Sequence, residues 1–289
     1  MKKLIIGTAQ FGSNYGVNNK KESGLNKKKA AKFLNYAYSK NIKILDTALN
    51  YKLSNKILSN LDLKKFQIIT KKKFEKNLNK HVFINKMQIL QDNLKKLKIK
   101  SYYGLLVHNP EILTKKSGKK YFEFLKLCKK KKITKKIGIS TYGNKYISNV
   151  CRKYKIDILQ TTFSIFDTRI KKRGLLKRIK KKKIEVHARS IFLQGLLLMN
   201  EKKRLKKFKN FSMIWKKWSK YLEKNNINQY QACVNYAFKE KLIDKFIVGF
   251  DNLDQLEKMI LFNKNKLTFD FNNNNIGESL INPYQWKFK

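Results

Sequence analysis

At 289 residues, with 42% apolar side chains, 19 Phe and 14 Tyr, the chain can build one large core. Its formal net charge of +49 invites a nucleic-acid reading, but only six of its 68 basic residues are arginine, the side chain that forks onto phosphates and base edges. Lysine is instead spread over nearly every expected helix, so the charge reads as solvated surface. It implies salt-sensitive adhesion to polyanions and no specific nucleic-acid partner.

The longest apolar runs have strand length, far short of the roughly 20 residues of a membrane span. Met1-Lys2-Lys3 leads through Leu4-Ile5-Ile6 straight into Gly7, without the apolar core of a signal segment. The expectation is a cytoplasmic protein with no membrane partner. Cys128, Cys151 and Cys233 are odd in number, far apart and outside any Cys-x-x-Cys pattern. They fit neither a disulfide framework nor a zinc site, and are expected as small core residues in a reducing compartment, with no metal.

Strand-like runs fall at residues 4–9, 44–48, 66–71, 103–109, 136–141, 156–163, 184–191 and 246–250. Amphipathic helical segments lie between them at 27–40, 82–97, 121–131, 145–154 and 253–262, with apolar residues at three- and four-residue spacing. A longer helical stretch at 212–239 precedes the eighth strand and has the length of two helices. Alternation of this kind predicts a parallel sheet, and eight such units closing on themselves give an α/β (β/α)8 barrel. No Pro- or Gly-rich linker divides the chain, so a single domain is expected over 1–289, with 272–289 as a C-terminal tail.

Asp46, Tyr51, Lys71 and His108 lie at or just beyond the C-terminal ends of the second, third and fourth strand-like runs. Polar groups that end successive parallel strands converge on the rim where α/β enzymes keep their chemistry. Each also has a plain structural reading: Asp46 as a loop cap, Tyr51 as one of 14 tyrosines, Lys71 as the first of Lys71-Lys72-Lys73. His108 is the most telling, being one of three histidines.

The four residues, in this order, resemble the catalytic set of the aldo-keto reductase superfamily. The resemblance extends over nearly the whole chain through Gly7-Thr8-Ala9-Gln10-Phe11-Gly12, Asp46-Thr47-Ala48, His108-Asn109-Pro110, Ile137-Gly138-Ile139-Ser140, Asp157-Ile158-Leu159-Gln160 and His187-Ala188-Arg189-Ser190. It is nearest to a bacterial branch with this Gly-Thr-Ala-Gln-Phe-Gly start. The resemblance implies an NAD(P)-dependent oxidoreductase that reduces an aldehyde or ketone to an alcohol. A phenol with an ordinary pKa of about 10 holds its proton near neutrality, so Tyr51 is the expected acid. Lys71 would stabilise the phenolate, Asp46 would keep Lys71 ionised, and His108 would orient the substrate oxygen.

For the cofactor, the resemblance implies NADP(H) ahead of NAD(H), held by Gly7, Thr8, Ser140, Gln160, Arg189, Ser190, Gly249 and Gln255. Ser140 and Gln160 would bond the carboxamide, and Arg189 stands where many relatives carry a tyrosine that stacks on the nicotinamide. Gly249 stands where a cation often marks a 2′-phosphate, with Asp251 and Asp254 nearby, so NAD(H) stays open. Lys52-Leu53-Ser54-Asn55 departs from the usual Gly-x-Ser-Glu after the tyrosine. That keeps a second reading open, a weakly active or inactive cofactor-binding barrel with a binding or regulatory role. Phe11, Tyr15, Phe166, Phe192 and Trp286 can line a mouth for a small carbonyl substrate, a sugar-derived one among them, or can be ordinary barrel packing. Arg169 can meet an acidic substrate or pair with Asp167.

Overall fold

Each apolar run becomes one strand of a closed barrel. The strands are β1 (Leu4–Gly7), β2 (Ile44–Asp46), β3 (Gln67–Lys72), β4 (Tyr102–Val107), β5 (Thr134–Ser140), β6 (Ile158–Thr162), β7 (Glu185–Arg189) and β8 (Lys245–Gly249). They pair in parallel in sequence order and β8 closes onto β1. The computed structural model describes residues 3–13, 15–17, 24–75, 80–204, 206–262, 271 and 276–286. Of the tail expected over 272–289, residues 272–275 and 287–289 lie outside the described residues.

The helices are α1 (Lys27–Ser39), α2 (Lys52–Leu58), α3 (Lys80–Leu97), α4 (Glu111–Thr114), α5 (Gly118–Lys130), α6 (Ile147–Lys153), α7 (Leu175–Lys181), α8 (Lys206–Lys209), α9 (Ser212–Lys224), α10 (Gln229–Lys239), α11 (Leu253–Ile260) and α12 (Glu278–Ile281). In α1 the Asn26 side chain caps the first turn by accepting from the Lys29 amide, and Ala30, Phe33, Leu34 and Ala37 form the buried stripe. The stretch 212–239 splits into two helices for a local reason: Asn226 takes the left-handed conformation, and Asn228 with Gln231 then forms a capping box.

The core has three parts. A broad apolar layer lies between strands and helices. Inside the barrel, Ile5, Ile44, Ile69, Leu106, Ile158 and Ile247 form a second cluster, the bulky branched filling that makes such a barrel solid. At the opposite end of the strands from Asp46 and Lys71, Glu185 accepts from Tyr103, Lys136 and His187. Those partners come from β4, β5 and β7, so the bonds cross the interior. His187, wholly buried in this network, has a structural place. The third part is an aromatic cluster of Phe166, Phe208, Trp215, Trp218, Tyr221 and Trp286 beside β6 and β7. The three cysteines are free and buried, and no helix among the described residues is long and apolar enough to cross a membrane.

Candidate active site

The register sets Asp46 against Gly7 and Ile69, Lys71 against Leu106, Ser140 against Gln160, and Gly7 against Gly249. These residues therefore share one rim of the barrel. There Lys71 Nζ lies 2.5 Å from Asp46 Oδ2, with both side chains buried. Asp46 Oδ1 accepts from Gln160 Nε2 at 2.8 Å, and Gln160 Oε1 accepts from Ser140 Oγ at 2.8 Å. The carboxylate is thus fixed from two sides of the barrel.

Tyr51 stands at the start of α2, and its ring centre lies 5.7 Å from Lys71 Nζ. The turn that carries it is held differently from the expected pattern. Asn55 Nδ2 donates to the Ala48 carbonyl at 2.9 Å, and Ser54 Oγ donates to Thr8 Oγ1 at 3.0 Å. Asn55 therefore closes the turn with its amide where relatives carry a carboxylate. His108 follows β4, its amide donating to the Lys72 carbonyl. Asn109 next to it locks that loop by exchanging two hydrogen bonds with the Phe74 backbone.

The electrostatics follow from burial. Loss of solvent, then the neighbouring Tyr15 and Asp46, pushes the Tyr51 phenol well above its ordinary value, so it stays protonated. Burial draws Lys71 below the usual lysine range, and Asp46 beside it opposes that. Burial, with Lys71 and Arg189 adding positive field, lowers His108 to about 4, so its imidazole is neutral at pH 7.

Tyr51 and Asp46 open onto a cavity of about 470 Å³ that runs from the β1 and β7 ends to α11. Of the residues expected to hold a cofactor, Gly7, Thr8, Arg189, Ser190, Gly249 and Gln255 line it. Ser140 and Gln160 do not: they are buried and committed to each other and to Asp46. Arg189 lies flat on Tyr142, its guanidinium carbon 3.8 Å from the ring centre, and donates to the Thr141 carbonyl at 3.1 Å. After it, Ser190, Leu193 and Gln194 all adopt positive φ. Such strain in side-chain-bearing residues concentrates at functional sites. At the far end a Cβ on Gly249 would fall 1.6 Å from Gln10 Oε1. The Gln10 amide fills that space and donates to Asp251, which also accepts from Gln255.

Tyr15 and Phe192 line the cavity as expected for a substrate mouth. Phe11, Phe166 and Trp286 are placed elsewhere. Phe11 is fully buried edge-on against Phe33, Phe166 stacks on Trp215, and Trp286 packs on Phe208 and donates its indole N–H to the Ser279 carbonyl. Apolar burial takes these three aromatics into the core. Arg169 is neutralised by a two-point pair with Asp167 and a third bond to Glu278, so it is not available to an acidic substrate. Tyr142 carries no motif, and Gln10, Asn55 and Gln194, although they lie in or beside the segments that carry the resemblance, were not singled out as site residues.

The model of the aldo/keto reductase family matches residues 3–274, and the chain belongs to that family. Among solved structures it is similar to an aldo-keto reductase from Bacillus halodurans in its holo form, at 16% identity, 89% of this chain, 85% of that one and a TM-score of 0.68. It is also similar to a glycerol dehydrogenase from Gluconobacter oxydans, at 17% identity, 91% and 87% coverage and a TM-score of 0.66. No curated protein matches the chain.

The residues fit a nicotinamide dinucleotide. One cavity joins the Tyr51 end to the β8–α11 end, lined by the backbone of Gly7 and Gly249 and by the hydroxyl and amide side chains of Thr8, Ser190 and Gln255.

Proposed function

We propose that the chain is an NAD(P)H-dependent oxidoreductase that reduces an aldehyde or ketone to an alcohol, with Tyr51 as general acid. The observation that carries this reading is the buried Lys71–Asp46 pair beside Tyr51, at the strand-end rim of a cavity of ligand-site size. A reduced nicotinamide bound there supplies the hydride. The chain's own residues handle the proton. Tyr51 gives its proton to the carbonyl oxygen, and Lys71, kept in place by Asp46, stabilises the phenolate left behind. Gln160 and Ser140 fix Asp46, and so the direction of the Lys71 charge. His108, neutral, orients the substrate oxygen.

Gly7, Thr8, Ser190, Gly249 and Gln255 hold the cofactor in this reading, with Asp251 near the β8–α11 turn. A carboxylate suits a ribose 2′-hydroxyl and repels a 2′-phosphate, so we place NADH ahead of NADPH, against the order that the family resemblance implies. The substrate is a small carbonyl compound.

Fluorescence titration with NADPH and NADH, combined with aldehyde turnover by the wild type and by Tyr51→Phe, tests the reading. Cofactor binding by both forms, with turnover reduced about 10² to 10⁴-fold in the variant, is expected. Cofactor binding without turnover in the wild type would leave a binding barrel instead.

A further inference from the structure

Two arginines near the strand-end rim are treated in opposite ways. Arg169 faces two carboxylates, Asp167 and Glu278. Arg189 faces none: among the described residues no carboxylate lies within ion-pair distance of it. Its partners are the Tyr142 side chain, by ring and by hydrogen bond, and the Thr141 carbonyl, and its buried Nε is left without an acceptor. A partly buried guanidinium without a counter-ion is held at a cost in desolvation. The contacts to Tyr142 and the Thr141 carbonyl are to neutral groups and bring no counter-charge.

The groups around it do not supply the missing charge. Lys71 and Asp46 neutralise each other. Burial holds His108 neutral and Tyr51 protonated near pH 7. Asp251 at the far end of the cavity is engaged by Gln10 and Gln255. The catalytic end thus carries one uncompensated positive charge, planar and oriented by Tyr142, on the wall of the cavity that also holds Tyr51. A planar guanidinium with one edge spent on Thr141 presents the geometry that a carboxylate meets with two parallel hydrogen bonds.

We propose that Arg189 reads a carboxylate on the substrate, so that the enzyme acts on carbonyl compounds with a carboxylate beside the reacting carbonyl, the 2-oxo acids. This rests on the reductase reading above and narrows it to a substrate class. In the net reaction the 2-oxo acid gains a hydride at its carbonyl carbon, from a reduced nicotinamide that leaves oxidised. It gains a proton at its carbonyl oxygen from Tyr51, and departs as the 2-hydroxy acid, its carboxylate unchanged.

Calorimetric binding of phenylglyoxylate and of phenylglyoxylamide, the matched neutral compound, is the test. It uses the wild type, Arg189→Met and Arg189→Lys, with and without NADH or NADPH, at about 0.15 M salt to suppress adhesion to surface lysines. The wild type should bind the acid about tenfold to a hundredfold more tightly than the amide. That ratio should collapse in Arg189→Met and be intermediate in Arg189→Lys. Equal affinity for acid and amide in the wild type, or no binding of the acid, overturns the proposal without relying on any variant to fold. A preference that survives in Arg189→Met also overturns it, by placing the anion elsewhere. So does an unchanged ratio with weakened cofactor binding, because Arg189 would then serve the cofactor. The readout is binding, so an absence of turnover would sink the reductase reading alone.

Discussion

Arg189 and Tyr142, from the ends of β7 and β5, form a stacked pair with the guanidinium carbon 3.8 Å from the ring centre. By the family resemblance, Arg189 stands where many members carry a tyrosine. Here the ring comes from the loop after β5 and the β7 position carries charge. The pair converts an apolar wall into a polar one whose orientation depends on Tyr142.

Replacing Tyr142 by Leu should therefore loosen Arg189. A cation held over an aromatic face in a desolvated site is worth about 2 kcal/mol, and without the ring Arg189 keeps its bond to the Thr141 carbonyl. Urea unfolding should show a loss of about 1 to 2 kcal/mol, with Tyr142→Phe, which keeps the ring but loses the hydroxyl's bonds to Tyr15 and Arg189, falling between Leu and wild type. Equal midpoints for Leu and wild type would mean that the stack contributes nothing.

Gln160 provides a sharper contrast. It donates to Asp46 and accepts from Ser140, all three being buried. Gln160→Leu leaves two polar atoms short of a partner, a loss of about 2 kcal/mol in stability. Gln160→Glu should do worse, because it sets a second carboxylate against Asp46 and competes for Lys71. The predicted order in thermal unfolding at neutral pH is wild type, Leu, then Glu. If Glu proves the milder change, Gln160 is not holding Asp46 as an amide donor.

The strands and their order were legible because buried parallel strands read as near-continuous apolar runs, and the convergence of Asp46, Lys71 and His108 follows from strand ends alone. The division of α9 from α10 was visible only as excess length. What was not legible depends on which side chain reaches which across the barrel. Sequence cannot show that Gln160 on β6 bonds Asp46 on β2, or that Asp167 claims Arg169 and leaves Arg189 without a carboxylate. Phe166 and Trp286 were open to either reading for the same reason. Whether an aromatic at a strand end faces a cavity or joins Trp215 and Phe208 in a cluster is set by the α8–α9 excursion, which no local pattern announces.

Acid should weaken the fold through His108. Its folded value is about 4 against an ordinary 6.5, so the unfolded chain binds the proton first. The stability is fully present above about pH 6.5 and is lost as pH falls from there through about 4. The loss near pH 4.5 should be roughly 2 to 3 kcal/mol. His108→Gln, which does not titrate, should lack this part of the pH dependence when urea midpoints near pH 7 and 4.5 are compared. Identical acid sensitivity in the two proteins would assign the effect to other groups.

The cofactor preference turns on Asp251. The carboxylate is held by Gln10 on one oxygen and Gln255 on the other, and Gly249 clears the space that the Gln10 amide occupies. A 2′-phosphate brought to this turn would meet negative charge, whereas a 2′-hydroxyl finds an acceptor. The wild type should therefore bind NADH more tightly than NADPH. Asp251→Ser should narrow the ratio by about tenfold by removing the repulsion, equivalent to about 1.4 kcal/mol. Gln255→Arg, which adds a fork for phosphate on α11, should narrow it further. The measurement is the pair of dissociation constants for each protein, read from quenching of the tryptophan fluorescence. Tighter NADPH binding by the wild type would show that the Lys258 end of the cavity outweighs Asp251, and would restore the cofactor order that the family resemblance implies.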